Sequence, residues 1–287
     1  MKIVSTIAQL KSIIHQAKTE GKSIGLVPTM GYLHEGHLAL ATTAKKENDL
    51  VVMSIFVNPT QFGPNEDFES YPRDLERDTQ QAESVGVDII FAPSVQEMYP
   101  EDGGISISAG RQAKLLCGAT RPGHFDGVIQ VVTKLFHIVE PTRAYFGQKD
   151  AQQVAIIQTL VRDFNFPLEI RTLPIVREKD GLAKSSRNVY LTQQERMEAP
   201  AIYEALLVAQ EEFLEKGDRA VAIGLARKHI ANHTSGEIDY IELLSYPDLK
   251  VVTNDTKNFL LAAAVYIGKT RLIDNIIFSL EGETANV

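Results

Sequence analysis

The chain of 287 residues has a single cysteine, Cys117, so no disulfide can close within it. That usage fits a reducing compartment. No apolar run approaches the ~20 residues that a membrane-spanning helix needs. Basic residues are also short: 29 Lys and Arg stand against 37 Asp and Glu, a formal net charge of −8. A generic nucleic-acid binder shows the opposite balance. Any anionic substrate must therefore be drawn by a local cluster, because the overall field repels it. There is no internal repeat and no low-complexity tract. The first residues interleave polar with apolar side chains and read as a strand or amphipathic helix, not a signal sequence. These observations point to a soluble, cytoplasmic protein with neither a membrane nor a nucleic-acid partner. A hydrophobic content of 44% is enough for a large core, expected to split into two domains.

The organising stretch is L-V-P-T-M-G-Y-L-H-E-G-H, residues 26–37. Residues 24–27 are a short apolar run closed by Pro28, the pattern of a buried strand. Gly31 permits a turn or a close backbone approach. Leu38, Ala39, Ala41 and Ala44 then favour helix. His34 and His37 thus sit where a strand's carboxyl end feeds a helix's amino end, on one helical face. Such a place attracts anions through unpaired N–H groups and the helix dipole.

Along the rest of the chain, helical stripes at 7–17, 72–85, 128–139 and 150–164 alternate with strands at 50–57, 87–92, 144–146 and 168–176. Residues 105–108 read as a weak edge strand, and 116–127 as a loop rich in glycine. Alternation of this kind implies an α/β domain built on a parallel sheet. Residues 177–191 are charged, carry a D-G turn and break the pattern. Beyond them Thr192 and Glu195 form a capping box. Two amphipathic helices follow, at 202–214 and 220–230, and three strands, at 238–244, 259–267 and 271–279. The expected division is 1–176, a mobile loop at 177–190, and a small α+β domain at 191–287.

Four segments fall at loop or helix-start positions: M-G-Y-L-H-E-G-H, F-V-N-P-T-Q-F, G-Q-K-D-A-Q-Q and K-S-S-R-N. Taken alone, Gln61 is a solvated loop residue and Lys149 a surface lysine. Following strands of an open α/β sheet, both become candidate ligand contacts. Gln153 points either to the pocket or to solvent. Ser185, Ser186 and Arg187 offer two hydroxyls and a guanidinium, a donor set suited to polyphosphate.

H-x-G-H in this setting resembles the signature of the class I aminoacyl-tRNA synthetase and nucleotidyltransferase superfamily. Together with Y-P-R, R-P-G-H-F-D-G-V, F-G-Q-K-D-A-Q-Q, R-E-K-D-G-L-A-K-S-S-R-N and R-L-I-D-N, it is similar to the pantoate–β-alanine ligase family over nearly the whole chain. The resemblance implies a Rossmann-like N-terminal domain and ATP-dependent condensation of pantoate with β-alanine, releasing AMP and pyrophosphate. It also implies Mg²⁺ and a homodimer, with the C-terminal domain acting as a lid. Carried over by position, ATP would be bound by Met30, Gly31, Tyr32, Leu33, His34, Glu35, Gly36 and His37. Gly147, Gln148, Lys149, Asp150, Val176, Lys184, Ser185, Ser186 and Arg187 would complete that set. His34, His37, Lys149 and Arg187 would be catalytic, His37 as a proton donor. Gln61 and Gln153 would hold pantoate, with Gln61 also near β-alanine. Lys184 departs from the family's usual Met. Its effect depends on whether that position works through backbone or side chain. The rival readings are another adenylyl- or cytidylyltransferase of the superfamily, and a non-catalytic nucleotide sensor.

Overall fold

The computed structural model describes residues 1–64, 66–101 and 103–280. The chain forms two compact units, 1–147 with 156–173, and 148–155 with 174–280 of the described residues.

The first unit is built on six parallel strands: β1 (Lys2–Val4), β2 (Ile24–Thr29), β3 (Leu50–Ile55), β4 (Ile89–Phe91), β5 (Arg143–Gly147) and β6 (Glu169–Leu173). Their order is β1-β4-β3-β2-β5-β6. The helices are α1 (Ile7–Thr19), α2 (Glu35–Glu47), α3 (Leu75–Ser84), α4 (Val95–Met98), α5 (Cys117–Thr120), α6 (His124–Val139) and α7 (Ala151–Asp163), the first turn of α7 counting with the second unit. β2 lies at the centre, and its alternating side chains show why. Val27 packs with Leu40, Ala41 and Ala44 of α2 and with Val51 and Met53 of β3. Leu26, on the opposite pleat, is equally buried. A strand covered on both faces needs a continuous apolar run, which residues 24–27 supply.

The strand order reverses between β2 and β5. In open α/β sheets a ligand crevice lies outside the carboxyl ends of the strands at such a reversal. β2 ends there in Thr29, and β5 ends there in Gly147.

The second unit contains α8 (Gln193–Glu198), α9 (Ala201–Lys216) and α10 (Arg219–His233), and an antiparallel sheet of β7 (Glu237–Ser245), β8 (Asn258–Ile267) and β9 (Thr270–Ser279). The T-Q-Q-E capping box closes α8 at Thr192, and Pro200 starts α9. Both faces of the helix pair's contact are small: Ala205 and Ala209 of α9, Ala222 and Ala226 of α10, all buried. Phe213, Phe259 and Phe278 fill the space against the sheet, with ring centroids 5.2–6.2 Å apart.

Two local expectations fail. Residues 105–108 form no strand, and Ile105 is 84% exposed. Alternation of Ile and Ser has β propensity, but without a neighbouring ladder it does not become a strand. Residues 116–127 are not one loop either: α5 interrupts them, and α6 already begins at His124. Gly127, which suggests a loop in the sequence, lies inside α6. A Cβ there would stand 2.2 Å from the Thr60 carbonyl oxygen. The glycine serves a close approach between α6 and the 3-10 turn Pro59–Gln61.

Gly127→Ala must push that turn away, and overpacking of this kind costs on the order of 1–3 kcal/mol. The expected result in urea denaturation is a lowered midpoint with an unchanged slope. An unchanged midpoint would show that the approach is not tight.

Candidate active site

The turn after β2 is fixed by hydrogen bonds on both sides. Thr29 Oγ1 donates to the Ser54 carbonyl at 2.6 Å and accepts from the Gly31 N–H at 3.2 Å. Gly31 and Tyr32 both have positive φ, +84° and +50°. At Gly31 an added Cβ would meet Asp78 Oδ2 and Ile55 Cγ2, each at 2.9 Å. Only glycine satisfies that dihedral and that space together. Asp78, on α3 and 1% exposed, accepts from the N–H groups of Tyr32 and Leu33, both at 2.7 Å. Burial pushes its pKa above the ordinary carboxylate value, against the pull of those two N–H groups and of Arg77. Arg77 donates to the Leu33 carbonyl at 3.0 Å and lies 4.8 Å from the Tyr32 ring centroid.

His34 is the N-cap of α2. Its Nδ1 accepts from the Gly36 N–H at 3.1 Å, and His37 Nδ1 accepts from the His34 N–H at 3.4 Å. The two rings lie 4.0 Å apart. A neutral imidazole whose Nδ1 accepts carries its proton on Nε2. Both histidines are thereby set as Nε2–H donors at a helix amino end. The glycine between them is a steric requirement. A Cβ at Gly36 would stand 2.9 Å from His34 Cε1 and 3.0 Å from Nδ1.

Gln61 closes the 3-10 turn after β3, and its Nε2 donates to Met30 Sδ at 3.1 Å. Asn58 Nδ2 donates to Gln61 Oε1 at 3.2 Å and to the Gly127 carbonyl at 3.1 Å. The Gln61 carbonyl accepts from His124 Nδ1 at 2.8 Å. Arg121 adds a longer bond to the same carbonyl at 3.4 Å and pairs with Glu66 at 2.5 Å. Burial alone would raise the Glu66 pKa; the Arg121 hydrogen bonds and charge outweigh it and hold it below the ordinary value.

The remaining candidates are grouped in the second unit, apart from Gly147, which ends β5. Gln148, Lys149 and Asp150 form a 3-10 turn leading into α7. Asn275 Nδ2 donates to the carbonyls of Gln148 at 3.0 Å and Lys149 at 2.9 Å. In α7, Gln152 is buried and Gln153 half-buried. The Lys184 N–H donates to the Val176 carbonyl at 2.9 Å, next to a bridge between Arg177 and Ala183. The Lys184 ammonium lies 2.7 Å from Glu178, so its charge is balanced locally. Ser185 caps the 3-10 turn Ser186–Tyr190 by accepting from the Arg187 N–H at 3.3 Å. Ser186 is buried.

A family model for pantoate–β-alanine ligase matches residues 2–277. The chain belongs to the pantoate–β-alanine ligase family. It is 71% identical over 281 residues to pantothenate synthetase of Lysinibacillus sphaericus, covering 98% of this chain and 99% of that one. Identity to the Bacillus subtilis enzyme of the same name is 56%, covering 98% of each. Among solved structures, pantothenate synthetase of Thermus thermophilus superposes with a TM-score of 0.91 at 44% identity, over 96% of this chain and 99% of that one. The Francisella tularensis pantoate–β-alanine ligase, described as complexed with β,γ-ATP and β-alanine, gives 0.80 at 39% identity, over 99% and 100%.

In this member of the pantoate–β-alanine ligase family, Asp78, Arg77, Asn58 and Asn275 are supports that sequence reading did not single out. Only a buried polar residue in an apolar environment betrays such a role, and burial is not visible in the string. R-L-I-D-N was a signal in the case of Asn275, since two adjacent polar residues interrupt an otherwise apolar strand.

Alanine suits a helical first turn better than glycine, so Gly36→Ala should leave stability unchanged or slightly raised. The His34 ring must move, however, and a misplacement near 1 Å can cost about 10²-fold in rate. A steady-state assay with parallel thermal melts checks this. Full activity in a stably folded G36A protein would contradict the steric role of Gly36.

Proposed function

We propose that this chain joins pantoate to β-alanine at the expense of ATP, through a pantoyl-adenylate, as its membership in the pantoate–β-alanine ligase family supports. The single observation that carries the chemistry is the pair of Nδ1-anchored histidines at the carboxyl end of β2. They supply neutral N–H donors where a triphosphate needs them, in a chain whose net charge is −8.

A carboxylate does not condense with an amine at neutral pH, because oxide is a poor leaving group. In the first step a pantoate carboxylate oxygen bonds to the α-phosphorus of ATP, and the bond from that phosphorus to the bridging oxygen breaks. Pyrophosphate leaves with the electron pair. In the second step the β-alanine nitrogen bonds to the acyl carbon, the bond to the phosphate oxygen breaks, and AMP departs while the nitrogen gives up a proton. Neither step needs a nucleophilic side chain; positioning and charge stabilisation suffice.

In this reading, Met30 to His37, Gly147 to Asp150, Val176 and Lys184 to Arg187 bind ATP. His34, His37, Lys149 and Arg187 stabilise charge developing on the phosphates, the two imidazoles as Nε2–H hydrogen-bond donors. Gln61, fixed against Met30, and Gln153 hold pantoate; Gln61 also borders β-alanine. Among the described residues no three His, Cys, Asp or Glu side chains form a metal cage. Mg²⁺ would be carried in largely by phosphate oxygens and water, the usual arrangement for nucleotide-bound Mg²⁺. Its chemistry would be to neutralise phosphate charge. Among the described residues no helix is long and apolar enough to cross a membrane. We also assign the chain to the cytoplasm and to a homodimer, which sedimentation would check.

The test is AMP formation by the purified protein. It should require ATP, pantoate and β-alanine together, with no nucleotide left in the product. A nucleotide-containing product would indicate a nucleotidyltransferase, and ATP binding without pyrophosphate release would indicate a sensor. Losing one donor to a developing oxyanion costs about 10²–10³ in rate. His37→Ala and Arg187→Ala should lose at least that in adenylate formation, while Gln61→Ala should chiefly raise the pantoate KM. Normal adenylate formation by folded H37A protein would remove His37 from its role.

A further inference from the structure

β9 carries a polar pair where its neighbours are apolar. Leu272, Ile276, Ile277 and Phe278 are buried, and so are Asp274 at 5% and Asn275 at 3% exposure. Burying a carboxylate and an amide costs free energy unless each finds partners. Here the partners outside β9 lie in two segments: the Gln148–Lys149 turn, which the proposed function gives to ATP, and the Arg177 turn, which leads into Lys184–Arg187.

Asn275 addresses the first segment. Its Nδ2 hydrogens are divided between consecutive carbonyls, those of Gln148 and Lys149, at 3.0 and 2.9 Å. Its Oδ1 accepts from Gln148 Nε2 at 3.4 Å. The backbone beneath the Lys149 side chain is thus held by one amide. Asp274 addresses the second segment. It takes the Arg177 guanidinium in a fork, at 2.6 and 2.9 Å. Arg177 in turn donates to the Gly181 carbonyl at 2.9 Å and stacks 3.5 Å from the Tyr203 ring centroid. Gly181 has φ +94°, and a Cβ there would meet that same ring at 2.9 Å. The 177–183 turn is therefore shaped around Arg177, and it leads directly into Lys184, Ser185, Ser186 and Arg187. Asp274 Oδ1 also accepts from the Asn275 N–H at 2.7 Å, so the two prongs are rigidly joined. Opposite them in β8 stand Ala262 and Ala263, the small residues that leave room for both.

We infer that Asp274 and Asn275 form a bracket that sets the Lys149 turn and the Lys184–Arg187 segment in register with each other, acting through Lys149 and Arg177 as positioning residues. The bracket would let one strand hold both phosphate-directed segments at a fixed spacing, whatever moves elsewhere. It rests on the proposed function only in that the shared target is ATP.

A double-mutant cycle between Asn275 and Lys149 tests it, read in two ways: the rate of pantoate-dependent pyrophosphate release, and the affinity for a non-hydrolysable ATP analogue by calorimetry. Asn275→Ala should lower the rate about 10–100-fold and weaken the analogue, with the pantoate KM unchanged. In a Lys149→Ala background the same substitution should add less than about twofold, because it acts through the missing lysine. Urea denaturation accompanies each variant; should N275A fail to fold, Asn275→Ser, which keeps one donor, replaces it. Fully additive effects would overturn the bracket, since they would mark Asn275 as a structural residue only. If wild-type protein releases no pyrophosphate, the proposed function fails, and the analogue cycle still decides the bracket by the same criterion.

Discussion

A buried carboxylate holds the central turn. Asp78 accepts two backbone N–H groups at 2.7 Å and so keeps Gly31 and Tyr32 in a conformation that few residues adopt. Two successive left-handed residues turn the chain sharply from β2 into α2. Without them His34 could not cap α2, and without the cap neither imidazole would have its Nδ1 engaged. The cost of burying Asp78 appears in its raised pKa. That cost is offset by fixing the backbone to which the histidines are attached.

The second unit solves the same problem by the same means. There the buried polar groups are Asp274 and Asn275, and the held backbone belongs to Gln148, Lys149 and the Arg177 turn. In both units an apolar core supplies stability, while one or two buried polar side chains specify where the candidate site loops lie. Those loops carry donors that are neutral, such as imidazole and hydroxyl, or locally concentrated cations. This suits a protein of net negative charge that must accept a polyanion.

Much of this was legible in the residue string. β2, β3 and the three C-terminal strands declare themselves through apolar continuity, and the Thr192–Glu195 capping box is where the pattern puts it. H-x-G-H stands out as a candidate site because strand, glycine and helix signals coincide around it. What the string could not show is tertiary. Gly127 reads as a loop glycine until Thr60 is seen against it. Ile105 and Ile107 alternate like a strand but have no ladder to join. At Lys184, which departs from the family's usual Met, the structure shows an N–H bonded to the Val176 carbonyl and an ammonium paired with Glu178. That pairing, which spans six residues of chain, is a tertiary fact that the string does not display.

The account turns on the protonation geometry of His34 and His37. ¹⁵N NMR of the histidine-labelled protein measures it directly, before and after adding a non-hydrolysable ATP analogue. Both rings should be in the Nε2–H tautomer in the free protein, with Nδ1 in an acceptor's shift range, and both Nε2 signals should move when the analogue binds. A predominant Nδ1–H tautomer at either ring, or Nε2 signals indifferent to saturating analogue, would contradict it.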